Sequence, residues 1–374
     1  MAEPALFPEG GFRRLRLDIA YDGTLFSGWA TQPGMRTMQD MVEEAIARIV
    51  RHDVDSVVAG RTDAGVHATG QVIHVDVADA AFDRELTYKD LRYKLNRLLD
   101  EDIRITEITD APSGFHARFS ALRRKYTYKI LDDNQVITPA QRFDVAPWYR
   151  HLDEKVMNEA SSLLLGTHDF AAFCKFKQGG TTIRTLEKYH WVRTEDGLLL
   201  ADVVADAFCY SMVRNLVGAI VCVADGRKPT SWITELLENK ERVSDSLVFP
   251  ARGLTLYQVD YPTEDQLLER ARITVARRPR RQCLAGTRRQ QAAGFIEHLR
   301  QRFTACRPER PGLAAGRDQP KFRGHANLPG AVQDCRLSAG HPDQHPQARV
   351  PFVRVLQSSG VDPAGPHHCP RHPG

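Results

Sequence analysis

The chain has 374 residues, 42% of them hydrophobic, a formal net charge of +4 and seven scattered cysteines. That is enough apolar material for two packed domains, and no run approaches the roughly 18–20 apolar residues of a membrane span. Without a Cys-x-x-Cys pair, the odd cysteine count argues against a disulfide framework or zinc ribbon and for a reducing cytoplasm, and the first eleven residues lack the basic start and apolar core of a secretory signal.

Residues 1–12 read as a flexible N-terminus. From Arg13 to Ala20 the residues alternate as in a strand, Leu15, Leu17 and Ile19 facing one way and Arg14, Arg16 and Asp18 the other. A loop rich in Gly, Pro and aromatics runs from Tyr21 to Gly34. Thr37 with Asp40 opens a helix in the manner of a capping box, and Met38, Met41, Val42, Ala45, Ile46 and Ile49 form its apolar stripe. A short apolar run (Val54, Val57, Val58) and a strand-like run (Val72 to Val77) flank residues 60–68. Thr87 with Asp90 opens a second helix, with Leu91, Leu95, Leu98 and Leu99 on its apolar face, and Ile103 to Ile108 is a strand.

A second unit follows the same plan. It has a strand from Lys125 to Leu131 and a helix from Asp153 to Leu165. A hairpin pairs Leu186–Thr194 with Leu198–Ala205 around Glu195-Asp196-Gly197, helices span Ser211–Ala224 and Ser231–Asn239, and a last strand runs from Leu254 to Val259. The expectation is an α/β (α+β) chain of two similar subdomains, 13–115 and 116–262. Residues 263–374 differ: they hold 12 of the 21 prolines and no Tyr, Trp or Met, and one segment, 288–302, has helical spacing. Such a tail cannot bury enough apolar surface to offset its ordering entropy and is expected to be disordered. Truncation after Pro262 is therefore expected to keep fold and activity. The His367, His368, Cys369 and His372 cluster has no second ligand group at tetrahedral-site spacing, so no metal site is expected.

Charge divides the same way. Residues 1–262 carry 32 basic and 38 acidic side chains, residues 263–374 carry 19 and 9. A body with net negative charge binds nucleic acid only through local patches. Gly-x-x-x-x-Gly-Lys-Ser/Thr and Gly-x-Gly-x-x-Gly are both missing, so no nucleotide cofactor is expected.

Four segments carry the chemistry. Gly60-Arg61-Thr62-Asp63-Ala64-Gly65-Val66-His67-Ala68 presents one carboxylate from a loop between two stiff supports. Tyr21 to Trp29, Phe115 to Tyr128 and Phe208 to Gly218 complete the set. Alone, each has a plainer explanation: an Asp capping its own turn, Tyr126 and Tyr128 as packed strand residues, Arg214 snorkelling from an apolar helix. Arg61 reads equally as a solvated loop residue. Each of the basic clusters at Arg13, Arg14 and Arg16, at Arg123, Arg124 and Lys125, and at Lys175 and Lys177 is, alone, more often just a solvated face.

Together, however, the segments resemble the TruA family of tRNA pseudouridine synthases from Arg13 to about Tyr261, residue for residue in the Asp63 loop, and the likeness includes Gly166-Thr167-His168-Asp169-Phe170. The resemblance implies a pseudouridine synthase fold, with two ferredoxin-like halves and a mixed or antiparallel sheet around a central cleft. It implies a homodimer without cofactor or metal that isomerises uridine to pseudouridine in the anticodon stem-loop of tRNA, at positions 38-40. It makes Asp63 the catalytic carboxylate, attacking ribose or uracil, and Tyr126 the ring that stacks on the base or moves a proton. Arg214 is expected to pair with Asp63, because an unpaired buried charge is costly. Arg61, Arg13, Arg14, Arg123, Arg124 and Lys125 are expected to contact RNA. His67, His116 and His168 are expected to make structural hydrogen bonds. Two positions depart from the family pattern, Ala30 in place of Gln and Ser211 in place of His, and neither is expected to touch Asp63, Tyr126 or Arg214. The competing readings are an RNA-binding or tRNA-folding protein with little catalysis, and a pseudouridine synthase acting on another RNA.

Overall fold

The computed structural model describes residues 5–83, 85–175, 181–240 and 247–276. The expected tail from 277 onward, its helical segment 288–302, its His/Cys cluster and Lys177 lie outside the described residues. Strand β1 (Phe12–Tyr21) carries Leu15, Leu17 and Ile19 into the core, as alternation requires. Helix α1 (Met38–Val50) starts at Thr37, whose side chain accepts from the backbone of Asp40, and buries Met38, Val42, Ala45 and Ile46. Strands β2 (Ser56–Val58) and β3 (His67–Ala78) bracket the Asp63 loop. Helix α2 (Tyr88–Leu98) opens with a complete capping box between Thr87 and Asp90. Leu91 and Leu95 are buried, but Leu98 is 47% exposed. The chain leaves the helix there, and Leu99, in extended conformation, turns into the core in its place.

Strand β4 (Ile103–Asp110) ends the first half. The second half contains β5 (Arg123–Leu131), the short β6 (Ala146–Pro147), α3 (Glu154–Ser162), β7 (Gly166–Asp169), β8 (Ile183–Arg193) and β9 (Leu199–Ala205). Helices α4 (Met212–Ala224) and α5 (Ser231–Asn239) and strand β10 (Leu254–Asp260) follow. One sheet runs through both halves in the order β4-β1-β3-β10-β5-β9-β8-β7, with β2 on β3 and β6 on β5. All neighbours are antiparallel except β10 with β3 and β5 with β6. The last strand thus returns to the middle, and the halves join where Thr255 and Leu256 pair with His67 and Ala68. Helices pack on both halves, α1 with α2 and α2 on β4, α3 on β8 and on α4. This is the mixed α/β class expected, with one large mixed sheet.

The ordered body does not stop at Pro262. Helix α6 (Leu267–Ala276) buries Leu267 and Ala271, and the Ser120 hydroxyl donates to the Leu267 carbonyl at 3.2 Å. The boundary drawn at 263 came from a shift in composition. The apolar positions of α6 are few, but they fall on one face and meet residues 114–121.

Candidate active site

The Asp63 loop sits at the seam between the halves, and its backbone is fixed on both sides. The Trp29 amide donates to the Thr62 carbonyl at 3.1 Å, Gly65 to Phe26 at 3.3 Å, and the Gln71 side chain to the Gly60 carbonyl at 2.9 Å. Gly28, at φ 96°, has its Cβ position 3.0 Å from the Thr62 oxygen, and the Cβ position of Gly23 is 2.0 Å from the Val66 oxygen. Neither place admits a side chain, so the 21–29 segment can lie flat against the loop only as glycine. Beneath it, the Tyr21 hydroxyl bonds Thr62 at 2.8 Å and accepts from Gln71 at 3.1 Å. Burial pushes this phenol up to about 12, so it stays neutral.

Helix α4 meets the loop from the other half. From Met212 to Val223 every residue is buried except Arg214. A helix apolar all round belongs inside the protein, and its one charged side chain reaches out at the N-terminal end. The Arg214 Nη1 is 3.7 Å from Asp63 Oδ2, an ion-pair distance too long for a hydrogen bond. Its Nε donates to the Phe249 carbonyl at 2.8 Å. The nearer contact to Asp63 is one the sequence did not reveal: the Ser211 hydroxyl donates to the same Oδ2 at 2.8 Å. The expectation that position 211 stays clear of Asp63 is therefore corrected. The helix expected from Ser211 starts one residue later, at Met212, and a serine just ahead of a helix ordinarily caps it rather than reaching another element.

Tyr126 lies on β5 between Leu256 of β10 and Val203 of β9, with its ring edge-on to Phe208 at 5.1 Å between centroids. Burial raises its pKa first, and the neighbouring Tyr21 and the Asp63 charge raise it further, so the phenol is neutral. Asp63, Arg214 and Tyr126 therefore share one place, with Asp63 and Arg214 still 15% and 21% exposed and open to a ligand. Tyr128, one strand step beyond Tyr126's neighbour, is core, its hydroxyl donating to the Pro250 carbonyl.

The expected RNA contacts divide. Arg61 is exposed beside Asp63. Arg13 is partly exposed and paired with Asp79 at 2.7 Å. Arg123 pairs with Glu187 at 2.5 Å and Lys125 with Asp260 at 3.0 Å, around an open depression also lined by Lys188, Asp202 and Tyr257. Arg14 and Arg124 are not surface residues, which corrects their assignment to RNA. Arg14 forks onto both oxygens of Asp76 at 2.7 and 2.9 Å and donates to the Leu6 and Phe115 carbonyls. Arg124 donates to the carbonyls of Ala59, Arg118 and Asp206. Alternation assigned Arg14 its face of β1 correctly, and β5 begins two residues earlier than the expected Lys125 and so takes in Arg124, but both side chains are covered by folded-over chain.

The histidines serve the frame. His67 accepts from the Gly23 amide and donates from Nε2 to the Phe143 and Arg252 carbonyls. His116 accepts from the amides of Arg118 and Phe119, and His168 donates to the Leu165 carbonyl. Among the described residues no group of three or more His, Cys, Asp or Glu side chains is placed to hold a metal ion.

A family described as tRNA pseudouridine synthase matches residues 19–120 and 160–262, which include Asp63 and Arg214 and, between the matched segments, leave out Tyr126. A tRNA pseudouridine synthase A of Frankia casuarinae is 49% identical over 267 residues, covering 71% of this chain and 96% of that one. The tRNA pseudouridine synthase A of Mycobacterium leprae is 48% identical over 270 residues, covering 70% and 94%. With more than half its length matched by the family and nearly all of each relative covered, the chain belongs to the tRNA pseudouridine synthase family.

Proposed function

We propose that the chain isomerises uridine to pseudouridine in the anticodon stem-loop of tRNA, at positions 38-40, as a cytoplasmic homodimer, with Asp63 as the reacting carboxylate. The observation that carries this reading is the meeting of Asp63, from one half, with Arg214 and Ser211, from the other, beside a neutral buried tyrosine. The reaction breaks the bond from ribose C1′ to N1, turns the uracil, and joins C1′ to C5; the C5 hydrogen leaves to solvent and N1 takes up a proton. Asp63 supplies the anionic oxygen that attacks the extruded nucleotide, at ribose or uracil; that oxygen–carbon bond breaks again before pseudouridine leaves, which returns the carboxylate free. Oδ1 suits this task, since it accepts no hydrogen bond among the described residues. Arg214 offsets the carboxylate charge in a partly dry place. Tyr126, neutral through burial, offers a ring face to the flipped base and a hydroxyl that holds its proton.

Arg61, exposed at the loop, contacts RNA phosphate or fills the space left by the flipped base. Arg13, Arg123 and Lys125 track the RNA backbone by exchanging their carboxylate partners for phosphates. Two subunits combine such scattered patches into one groove. A sedimentation coefficient of a monomer, with activity intact, would remove the dimer from this reading. No helix among the described residues is long and apolar enough to cross a membrane.

The test is release of label from tRNA carrying tritium at C5 of uracil. Wild-type chain is expected to release it. Asp63→Ala is expected to lower the single-turnover rate by about 10⁴-fold or more, as removal of a reacting nucleophile does elsewhere, with unchanged thermal unfolding. Release that survives Asp63→Ala removes the carboxylate from the chemistry, and tRNA binding without any release favours a binding protein.

A further inference from the structure

Ser211 has an unusual backbone for its position. It precedes α4 as the N-cap residue, where a serine ordinarily has extended backbone and accepts a hydrogen bond from an amide of the first turn. Here it has φ 58° and ψ 15°, the left-handed region, and its side chain caps nothing. A non-glycine residue is held there only when its surroundings enforce it. Asn215, fully buried, supplies the enforcement: its amide N–H and its side-chain Nδ2 both donate to the Ser211 carbonyl, at 3.1 and 2.9 Å, and Nδ2 also donates to the Phe173 carbonyl. The result is a hydroxyl withdrawn from its helix and aimed across the seam at Asp63 Oδ2, 2.8 Å away.

We infer that Ser211 is the positioning residue of the site: its hydroxyl pins Oδ2 of Asp63 and so presents Oδ1 to the nucleotide. This rests on the reading of Asp63 as the reacting carboxylate. The task divides between two groups on one helix end. Arg214, at 3.7 Å and tethered through Nε to Phe249, supplies charge without direction. Ser211 supplies direction, because a hydrogen bond is angular where a Coulomb attraction is not. Among the described residues, the groups facing Asp63 are Ser211 and Arg214 from α4 and the neutral Tyr126 from β5. Of these, only Ser211 donates a hydrogen bond to the carboxylate, so its loss leaves the carboxylate free to turn.

Two substitutions in the full-length chain separate the hydroxyl from the backbone. Glycine takes φ 58° without strain and is tolerated at an N-cap, so Ser211→Gly keeps the fold and removes the hydroxyl. Asparagine also accepts the left-handed region, and Ser211→Asn returns a donor. Single-turnover label release from C5-tritiated tRNA is followed across tRNA concentration for both, with Asp63→Ala in parallel. For Ser211→Gly the rate constant is expected to fall about 10²-fold, with half-saturating tRNA unchanged. Ser211→Asn is expected to recover about 10-fold of that loss, a returned donor at altered geometry being worth less than the original. A folded Ser211→Gly chain with wild-type rate overturns the inference while an inactive Asp63→Ala leaves the functional reading standing. So does a loss that asparagine does not rescue, which marks a structural role. Activity in Asp63→Ala overturns both.

Discussion

Two of the polar clusters among the described residues treat charge in opposite ways. Around Arg14, every strong donor has an internal acceptor: both Asp76 oxygens and three carbonyls take the guanidinium, and the buried His74 accepts from the Ala117 amide at 3.0 Å beside His116. Around Asp63, the accounting is incomplete. Among the described residues the carboxylate has one hydrogen bond, on one oxygen, and Arg214 faces it at 3.7 Å. A group whose bonds are all spent inside the chain holds the fold. One left under-bonded in an accessible cleft retains capacity for a ligand. The sequence points to Arg14 and Arg124 as functional through their basic clusters and to Arg214 through the family resemblance; their bonding separates them.

The sharpest way to break this division is to make the same change in both clusters. Arg214→Met is expected to lower single-turnover label release about 10³-fold, as loss of a preorganised charge partner does, with thermal stability little altered. Arg14→Met is expected to cost about 3 kcal/mol in urea unfolding, the lower end for a broken buried ion pair, because Asp76 keeps 32% of its side chain exposed. Its rate per folded molecule should match wild type. If Arg14→Met stops the chemistry in a folded chain, or Arg214→Met unfolds it, the two clusters are not different in kind.

A smaller effect tests where the internally satisfied region ends. Helix α6 covers residues next to Arg124, with Leu267 and Ala271 buried and Arg270 directed at the Ala121 carbonyl. Stopping the chain after Pro262 is therefore expected to cost about 2–3 kcal/mol, the worth of one buried leucine plus the lost hydrogen bond. A chain ending at Ala276 is the control, and the difference between the two midpoints isolates α6. Equal midpoints would restore Pro262 as the end of the body.

What could be read in advance follows the range of the physics involved. The periods of α1 and α5, the capping box at Thr87 and the alternation of β1 are local, and each stands where the sequence puts it. The meeting of Asp63, Tyr126 and Arg214 is not local; the family resemblance supplied it, since periodicity has no means of joining residues across two halves. Ser211 was missed for a related reason: its partner is 148 positions away, and its local signal points to a cap. Arg14 was misjudged because alternation tells which face a side chain takes and not what later covers that face. Helix α6 was lost to averaging, since a proline- and arginine-rich stretch outweighed ten ordered residues at its start.

The smallest expected effect separates the clusters by pH. His74 is 3% exposed, and its pKa is lowered from 6.5 to about 2, by burial first, then by the charge of Arg14 and by His116. Above the unfolded value the ring is neutral in both states and contributes nothing to the pH dependence. Below it the unfolded chain takes up a proton that the folded chain refuses, so stability falls as pH falls, by up to about 1.4 kcal/mol per pH unit, until the folded value is reached. His74→Asn keeps an oxygen to accept from the Ala117 amide and removes the titration. Urea unfolding of the two chains between pH values of about 7 and about 5 should give a slope shallower by up to one proton in the variant, so that any deficit of the variant at neutral pH shrinks in acid. Equal slopes would mean that His74 takes up its proton in the folded chain, and that the region around Arg14 is less closed than its hydrogen bonds imply.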